Sequence, residues 1–258
     1  MASTRRKISC TEVYHVMSHG VNKEKIFAKN TEREKMLSIF KEYAEKYDVE
    51  IYGYCIMNNH IHLLLKAQLE ELSGYMQKTI SEYAIYYNWK KERRGHVFQG
   101  RFKSECIENE AYYWNCLRYI HNNPVNANFI KDCENYKYSS MKEYLSGKKY
   151  LIHEKAFLHL QNRFGEIGLF RAFHKKANVF IHKDLPEEVW ELYKKDARII
   201  VFNSMNSFGI EEKMRFWDTP KLRNGIIQII CKELKISKKK AERLLGEIVN
   251  PHLPSEGF

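Results

Sequence analysis

The chain has 258 residues, 44% of them hydrophobic, which is enough apolar material for a buried core and excludes wholesale disorder. Lys and Arg outnumber Asp and Glu by 43 to 32, a net charge of +11 that favours a polyanionic partner. No apolar run approaches the roughly 18 residues a membrane span needs, no apolar region follows the basic N-terminus as in a signal peptide, and the six cysteines include no C-x-x-C pair. The expectation is a reducing, cytoplasmic and nucleoid-associated location with nucleic acid as the partner. The 17 Tyr, 14 Phe and 4 Trp beside so many cations suit base stacking, although most of the tyrosines are expected to fill a core.

In chain order, "CTEVYHVMSH" alternates and predicts a strand over Cys10–His19, ended by the loop "HGVNK". From Thr31, a candidate N-cap, "TEREKMLSIFKEYAEKY" carries Met36, Leu37, Ile39, Phe40 and Tyr43 at helical spacing. "VEIYGYCIM" and "HIHLLLK" predict two strands joined tightly through Asn58 and Asn59. A helix over Leu69–Lys91 follows, then a loop and fourth strand in "GHVFQGRFKSECI". A further helix starts near Asn109 or Glu110 and is expected to end before Pro124, since the residue preceding proline avoids helical angles. The order β-α-β-β-α-β-α predicts an α+β fold, a ferredoxin-like split βαβ with an antiparallel sheet covered on one face and an appended helix. Its open face would be a platform for nucleic acid.

The expected domains are a catalytic domain over 1–147, a helical extension or connector over 148–183, and a small all-α domain over 184–258. In the last, "LRNGIIQIICKELKISKKKAERLLGEIV" reads as a helix-turn-helix. Ile226, Ile227, Ile230 and Leu234 line one helix, with Ala241, Leu244 and Leu245 on the next. Lys238, Lys239, Lys240 and Arg243 would then face DNA, or equally form an ordinary solvated surface.

The chemistry rests on "HIH". Residues two apart on a strand share a face, so His60 and His62 leave the sheet side by side as metal-ligand candidates. In "NCLRYIHNNPVNA", Tyr119 and Asn123 are four apart on one helix face. The Asn123 amide oxygen would complete a facial ligand set, with the Tyr119 phenol placed to attack a bound phosphate. Read singly, Tyr119 suits a core tyrosine and Asn123 a helix cap. His121 is turned off that face and is not counted as a ligand. Lys90, Lys91, Arg93, Arg94, Arg101 and Lys103 cluster against Glu92 before the fourth strand, where a few phosphate contacts would give salt-sensitive binding. Phe98, Phe102 and Tyr87 are candidate base-stacking groups there, with Phe98 and Phe102 alternatively anchoring the loop to the core.

The motifs "YHVMSHGVNKEKIF", "GYCIMNNHIHLLL", "GHVFQGRFKS" and "LRYIHNNPVNA…YKYSS", across residues 8–147, resemble the single-tyrosine transposases of the HUH (His-hydrophobic-His) superfamily. The branch they are most similar to is the REP-associated tyrosine transposases of the IS200-like family. The resemblance implies a metal-dependent endonuclease and strand transferase for single-stranded, hairpin-bearing DNA. Tyr119 would be the nucleophile, His60, His62 and Asn123 the ligands, and Mg²⁺ or Mn²⁺ the ion. The histidines alone would also suit Zn²⁺. Monomer and homodimer both occur in such relatives. His19–Gly20, Asn58 and Asn126 stand where Arg–Gly, Pro and Arg are usual, which weakens any transfer of DNA-sequence preference. The alternative is a catalytically inactive DNA-binding or regulatory descendant. An RNA-binding ferredoxin-like protein, using Tyr52 and Tyr54, leaves the histidine pair unexplained. A hydrolase using activated water lacks a carboxylate next to the histidines.

Overall fold

The computed structural model describes residues 6–175, 186–207, 219–234 and 236–249. The chain divides into two compact units, 1–180 and 181–258. In the first, strands β1 (Val13–His19), β2 (Glu50–Ile56), β3 (His60–Lys66) and β4 (Lys103–Cys106) form one antiparallel sheet in the order β2-β3-β1-β4. With helices α1 (Asn30–Lys46) and α2 (Leu69–Lys90) in the crossovers, this is the split βαβ arrangement that the element order predicts. Helix α1 starts one residue before Thr31, so Thr31 lies inside it and is not the cap. The Lys29 N–H donates to the Glu32 carboxylate at 2.7 Å, which occupies the first turn instead. Helices α1 and α2 pack on each other through aromatic rings, among them Phe40 against Tyr75.

Two expectations are corrected by α3 (Glu110–Asn126). It runs through Pro124 instead of stopping before it. Proline there forfeits a single backbone bond in the last turn, and the Ala127 N–H still donates to the Asn123 carbonyl at 3.0 Å. Nor is the second face of the sheet open, because α3 packs on β2 and β3 there. Its apolar stripe of Tyr113, Trp114, Cys116, Leu117 and Ile120 is buried. Gly53 on β2 makes room for it: a Cβ at that position would lie 2.5 Å from Leu117 Cδ1. Helices α4 (Met141–Ser146), α5 (Glu154–Phe164) and α6 (Ile167–Lys175) complete the unit. Trp114 stacks edge-on against Phe164, and the Arg118 guanidinium lies over Phe173. Most of the expected connector is thus helix packed within the first unit, and its expected boundary near residue 183 lies outside the described residues.

A buried relay ties α6 to α3. His174 Nδ1–H donates to the Phe170 carbonyl at 2.9 Å, so its Nε2 accepts from His121 Nδ1–H, also at 2.9 Å. His121 Nε2 then accepts from the Ser140 hydroxyl at 2.8 Å. Burial pushes the His174 imidazole down to about 4 and His121 well below the usual range. The unfolded chain therefore binds more protons than the folded one below the ordinary histidine value. Stability from these rings is complete above roughly pH 6.5 and is lost as the pH falls toward 4. For His174 alone the loss is about 3 kcal/mol, at about 1.36 kcal/mol per pH unit. Urea unfolding at pH 7.5 and 4.5 is expected to show this loss, and His174→Gln to flatten the slope. An unchanged slope in that variant would mean that His174 takes up its proton without cost in the fold.

In the second unit, α7 (Pro186–Ser207), α8 (Pro220–Leu234) and α9 (Lys238–Val249) pack mutually. Ala197, Val201, Ile226, Ile227, Ile230, Ala241, Leu244 and Leu245 form its core, with Leu234 partly buried against it.

Candidate active site

Strand alternation brings His60 and His62 out on the face of β3 that α3 covers, as the register requires. Their Ile61 and Leu63 neighbours point the other way. Both imidazoles are buried, His62 completely. The rings stand 4.8 Å apart at 89°. Above them, one turn of α3 places Tyr119 and Asn123. The Tyr119 ring meets His62 edge-on at 5.6 Å, and Asn123 Nδ2–H donates to His62 Nε2 at 3.1 Å and to the Tyr119 hydroxyl at 3.4 Å. All four residues singled out in the sequence therefore meet at one place, from two elements that are distant in sequence.

The proton positions follow from the partners. A carboxamide oxygen only accepts, so His60 donates its Nδ1–H to Asn59 Oδ1, at 2.8 Å, and keeps its lone pair on Nε2. An amide NH₂ only donates, so His62 Nε2 is likewise the bare nitrogen and Nδ1 carries the proton. Burial, opposed by Asn123, pushes His60 down to about 4, which keeps the ring neutral near pH 7. Neutral imidazoles with bare Nε2 atoms, next to an amide, are a donor set for a divalent ion. The described residues contain no group of three or more His, Cys, Asp and Glu side chains arranged to hold a metal, and two imidazoles with one carboxamide form a set of another kind.

One residue at the site escaped the sequence reading. His15 Nε2 lies 3.0 Å from His62 Nδ1, with the rings side by side, centroids 5.3 Å apart and planes within 17°. It also meets the Tyr119 ring edge-on at 6.0 Å. Only half of the signal lies in the sequence: in "HVMSH", His15, Met17 and His19 share a strand face, but it is the pairing of Met17 with His62 in the sheet that makes His15 the diagonal neighbour of His62.

The basic segment adjoins the site. The Val21 N–H donates to the Val97 carbonyl and the Gln99 N–H to the His19 carbonyl, both at 2.9 Å, and His19 pairs with His60 across the sheet. Not all of its cations face outward. Lys91 pairs with the buried Glu32 at 3.0 Å, Arg93 with Glu24, and Lys90 donates to Thr31 at 2.6 Å. These contacts fasten the segment to the start of α1 and the loop before it. Arg94, Arg101 and Lys103 have exposed side chains. Phe98, Phe102 and Tyr87 are buried, with Phe98 against Phe27 and Tyr83, so they are core anchors and not base-stacking groups. In the second unit Lys238, Lys239 and Lys240 are exposed, whereas Arg243 bonds Glu247 at 3.1 Å and covers the Trp190 ring.

A family model described as "Transposase IS200 like" matches residues 10–123, a segment that begins just before β1 and ends on Asn123. Over this segment the chain is similar to that family. A Haemophilus influenzae protein carrying the name REP-associated tyrosine transposase is 25% identical over 114 residues, 40% of this chain and 65% of that protein. The chain thus spans just under two thirds of that relative's length. Two solved structures align with part of the chain. A REP-associated tyrosine transposase bound to a REP hairpin aligns with TM-score 0.49 and 15% identity, over 60% of this chain and 96% of that one. A transposase-class protein from Deinococcus radiodurans aligns with TM-score 0.33 and 12% identity, over 51% of this chain and 96% of that one. Among the described residues, no helix of the chain is long and apolar enough to cross a membrane.

Proposed function

We propose that the IS200-like segment cleaves and rejoins single-stranded DNA through a 5′-phosphotyrosine intermediate at Tyr119, with hairpin-bearing repeats as substrate. The observation that carries this reading is the convergence of His60, His62, Tyr119 and Asn123 at one buried point within the matched segment. His60 and His62, through Nε2, and the Asn123 amide oxygen are the groups that would hold Mg²⁺ or Mn²⁺. A divalent ion there supplies charge neutralisation and polarisation of a phosphate oxygen. The Tyr119 phenol oxygen attacks the phosphorus, forming the Tyr–O–P bond as the P–O3′ bond breaks. The phenol gives up its proton and the departing 3′-oxygen gains one. The new phosphodiester keeps the bond energy, so a 3′-OH reverses the step and joins strands without a further energy source. Arg94, Arg101 and Lys103 on the segment beside His60, and Lys238, Lys239 and Lys240 on the second unit, would bind phosphates in a salt-dependent way.

A second reading, a DNA-binding descendant without catalysis, is favoured by one observation. Tyr119 is only 5% exposed and His62 fully buried, so a phosphodiester needs α3 or its surroundings to give way. Labelled single-stranded hairpin DNA incubated with the full chain and Mn²⁺, then resolved on a denaturing protein gel, separates the two. A covalent adduct that disappears in Tyr119→Phe is the expected result. Binding without any adduct would favour the second reading, and an adduct surviving in Tyr119→Phe would place the nucleophile elsewhere.

A further inference from the structure

We infer that His15 is a positioning residue that fixes His62 as the Nε2-facing ligand; this rests on the metal-site reading of His60, His62 and Asn123. For a neutral imidazole to offer Nε2 to an ion, its proton must sit on Nδ1, and that proton needs an acceptor when the ring is buried. His62 is fully buried, and its Nδ1 points directly away from Asn123 and toward His15 Nε2 at 3.0 Å. His15 is itself buried on the central strand β1, its ring nearly coplanar with that of His62 at an interplanar angle of 17°. It therefore sets both the tautomer and the plane of the ligand. Water cannot replace it at so enclosed a place without a cavity to hold it.

His60 has the same arrangement by other means, with Asn59 Oδ1 at 2.8 Å from Nδ1. Each ligand thus has a partner on Nδ1, one an amide and one a third imidazole. The role of His15 cannot be that of a third ligand. The nitrogen it presents is taken up by His62 Nδ1, whereas the Asn123 amide meets the other ring nitrogen of His62.

The test uses the full chain with uniform ¹⁵N labelling and three variants. His15→Gln keeps an acceptor oxygen within the same space, His15→Phe keeps the ring but removes the acceptor, and His62→Ala identifies the His62 signals. Long-range ¹⁵N–¹H correlation spectra of the metal-free protein report the tautomer directly. Wild type and His15→Gln are expected to show His62 protonated on Nδ1, and His15→Phe to show a mixed or reversed tautomer. Mn²⁺ binding followed by electron paramagnetic resonance is expected to weaken about 10–100-fold in His15→Phe and to recover most of that in His15→Gln. If wild type shows the Nδ1–H tautomer but binds no Mn²⁺, the metal reading fails while the hydrogen bond stands. If wild type binds Mn²⁺ and folded His15→Phe matches it in tautomer and affinity, the positioning role is overturned. Should His15→Phe not fold, a reversed His62 tautomer in His15→Gln would overturn it as well.

Discussion

His62→Ala is expected to lower the yield of covalent protein–DNA adduct by at least about 10³-fold, the equivalent of some 4 kcal/mol of lost transition-state stabilisation. His121→Gln is expected to stay within about threefold of wild type per folded molecule, a difference well under 1 kcal/mol. The contrast is informative because the two imidazoles are equally buried, both with no exposed surface. His121 lies two positions from both Tyr119 and Asn123 on α3, whereas His62 lies on β3 beneath that helix, yet only His62 meets the Tyr119–Asn123 pair. His62 accepts from Asn123 and packs edge-on against Tyr119. His121 points to the opposite side of α3, toward Ser140 and His174. Adduct yield on denaturing gels, normalised to the folded fraction from near-ultraviolet circular dichroism, separates chemistry from stability. Equal losses in the two variants would mean that α3 packing, and not the His62 nitrogen, controls the reaction.

How far the site could be read from the chain depends on whether its geometry is local. The shared face of His60 and His62 follows from the two-residue period of a strand, and the alignment of Tyr119 with Asn123 follows from the helical turn. Both are fixed within a few residues, so both were legible. The split βαβ order was legible for a similar reason, since the alternation of strand and helix patterns dictates it. His15 was not, because its relation to His62 exists only through the β1–β3 register, which slips by whole residues without altering either strand's own pattern. The basic segment misled in the opposite direction. Its charges are obvious in sequence, but the carboxylates that claim Lys91 and Arg93 come from Glu32 and Glu24, 59 and 69 positions earlier. Pro124 illustrates a local rule outweighed by packing. The buried stripe of α3 carries the helix through a residue that costs it one backbone bond.

Glu143→Ala is expected to destabilise the first unit by about 3–5 kcal/mol, from the loss of three amide partners at about 1–3 kcal/mol each, less what water recovers. One carboxylate oxygen of Glu143, on α4, accepts from the backbone N–H groups of Tyr150, Leu151 and Ile152 at 2.7, 2.9 and 3.1 Å. Leu151 and Ile152 are buried, so their amides have no water to turn to, whereas Tyr150 is exposed enough to recover a partner. The turn they form leads straight into the sheet. The His153 N–H donates to the Ile51 carbonyl of β2 at 2.7 Å, and the Tyr144 hydroxyl of α4 donates to the Tyr52 carbonyl at the same distance. The charge of Glu143 is therefore spent on holding a loop against the strand that flanks the histidine-bearing β3. Glu143→Gln keeps an acceptor oxygen without the charge, and since charge-assisted bonds are roughly twice as strong as neutral ones it is expected to lose about half as much. Urea unfolding of the three proteins at pH 7.5 decides between the contributions. A Gln variant as weak as Ala would assign the whole effect to the negative charge. An Ala variant within about 1 kcal/mol of wild type, roughly the net worth of a single ordinary hydrogen bond, would show that the loop finds other partners and that this contact does not brace the sheet.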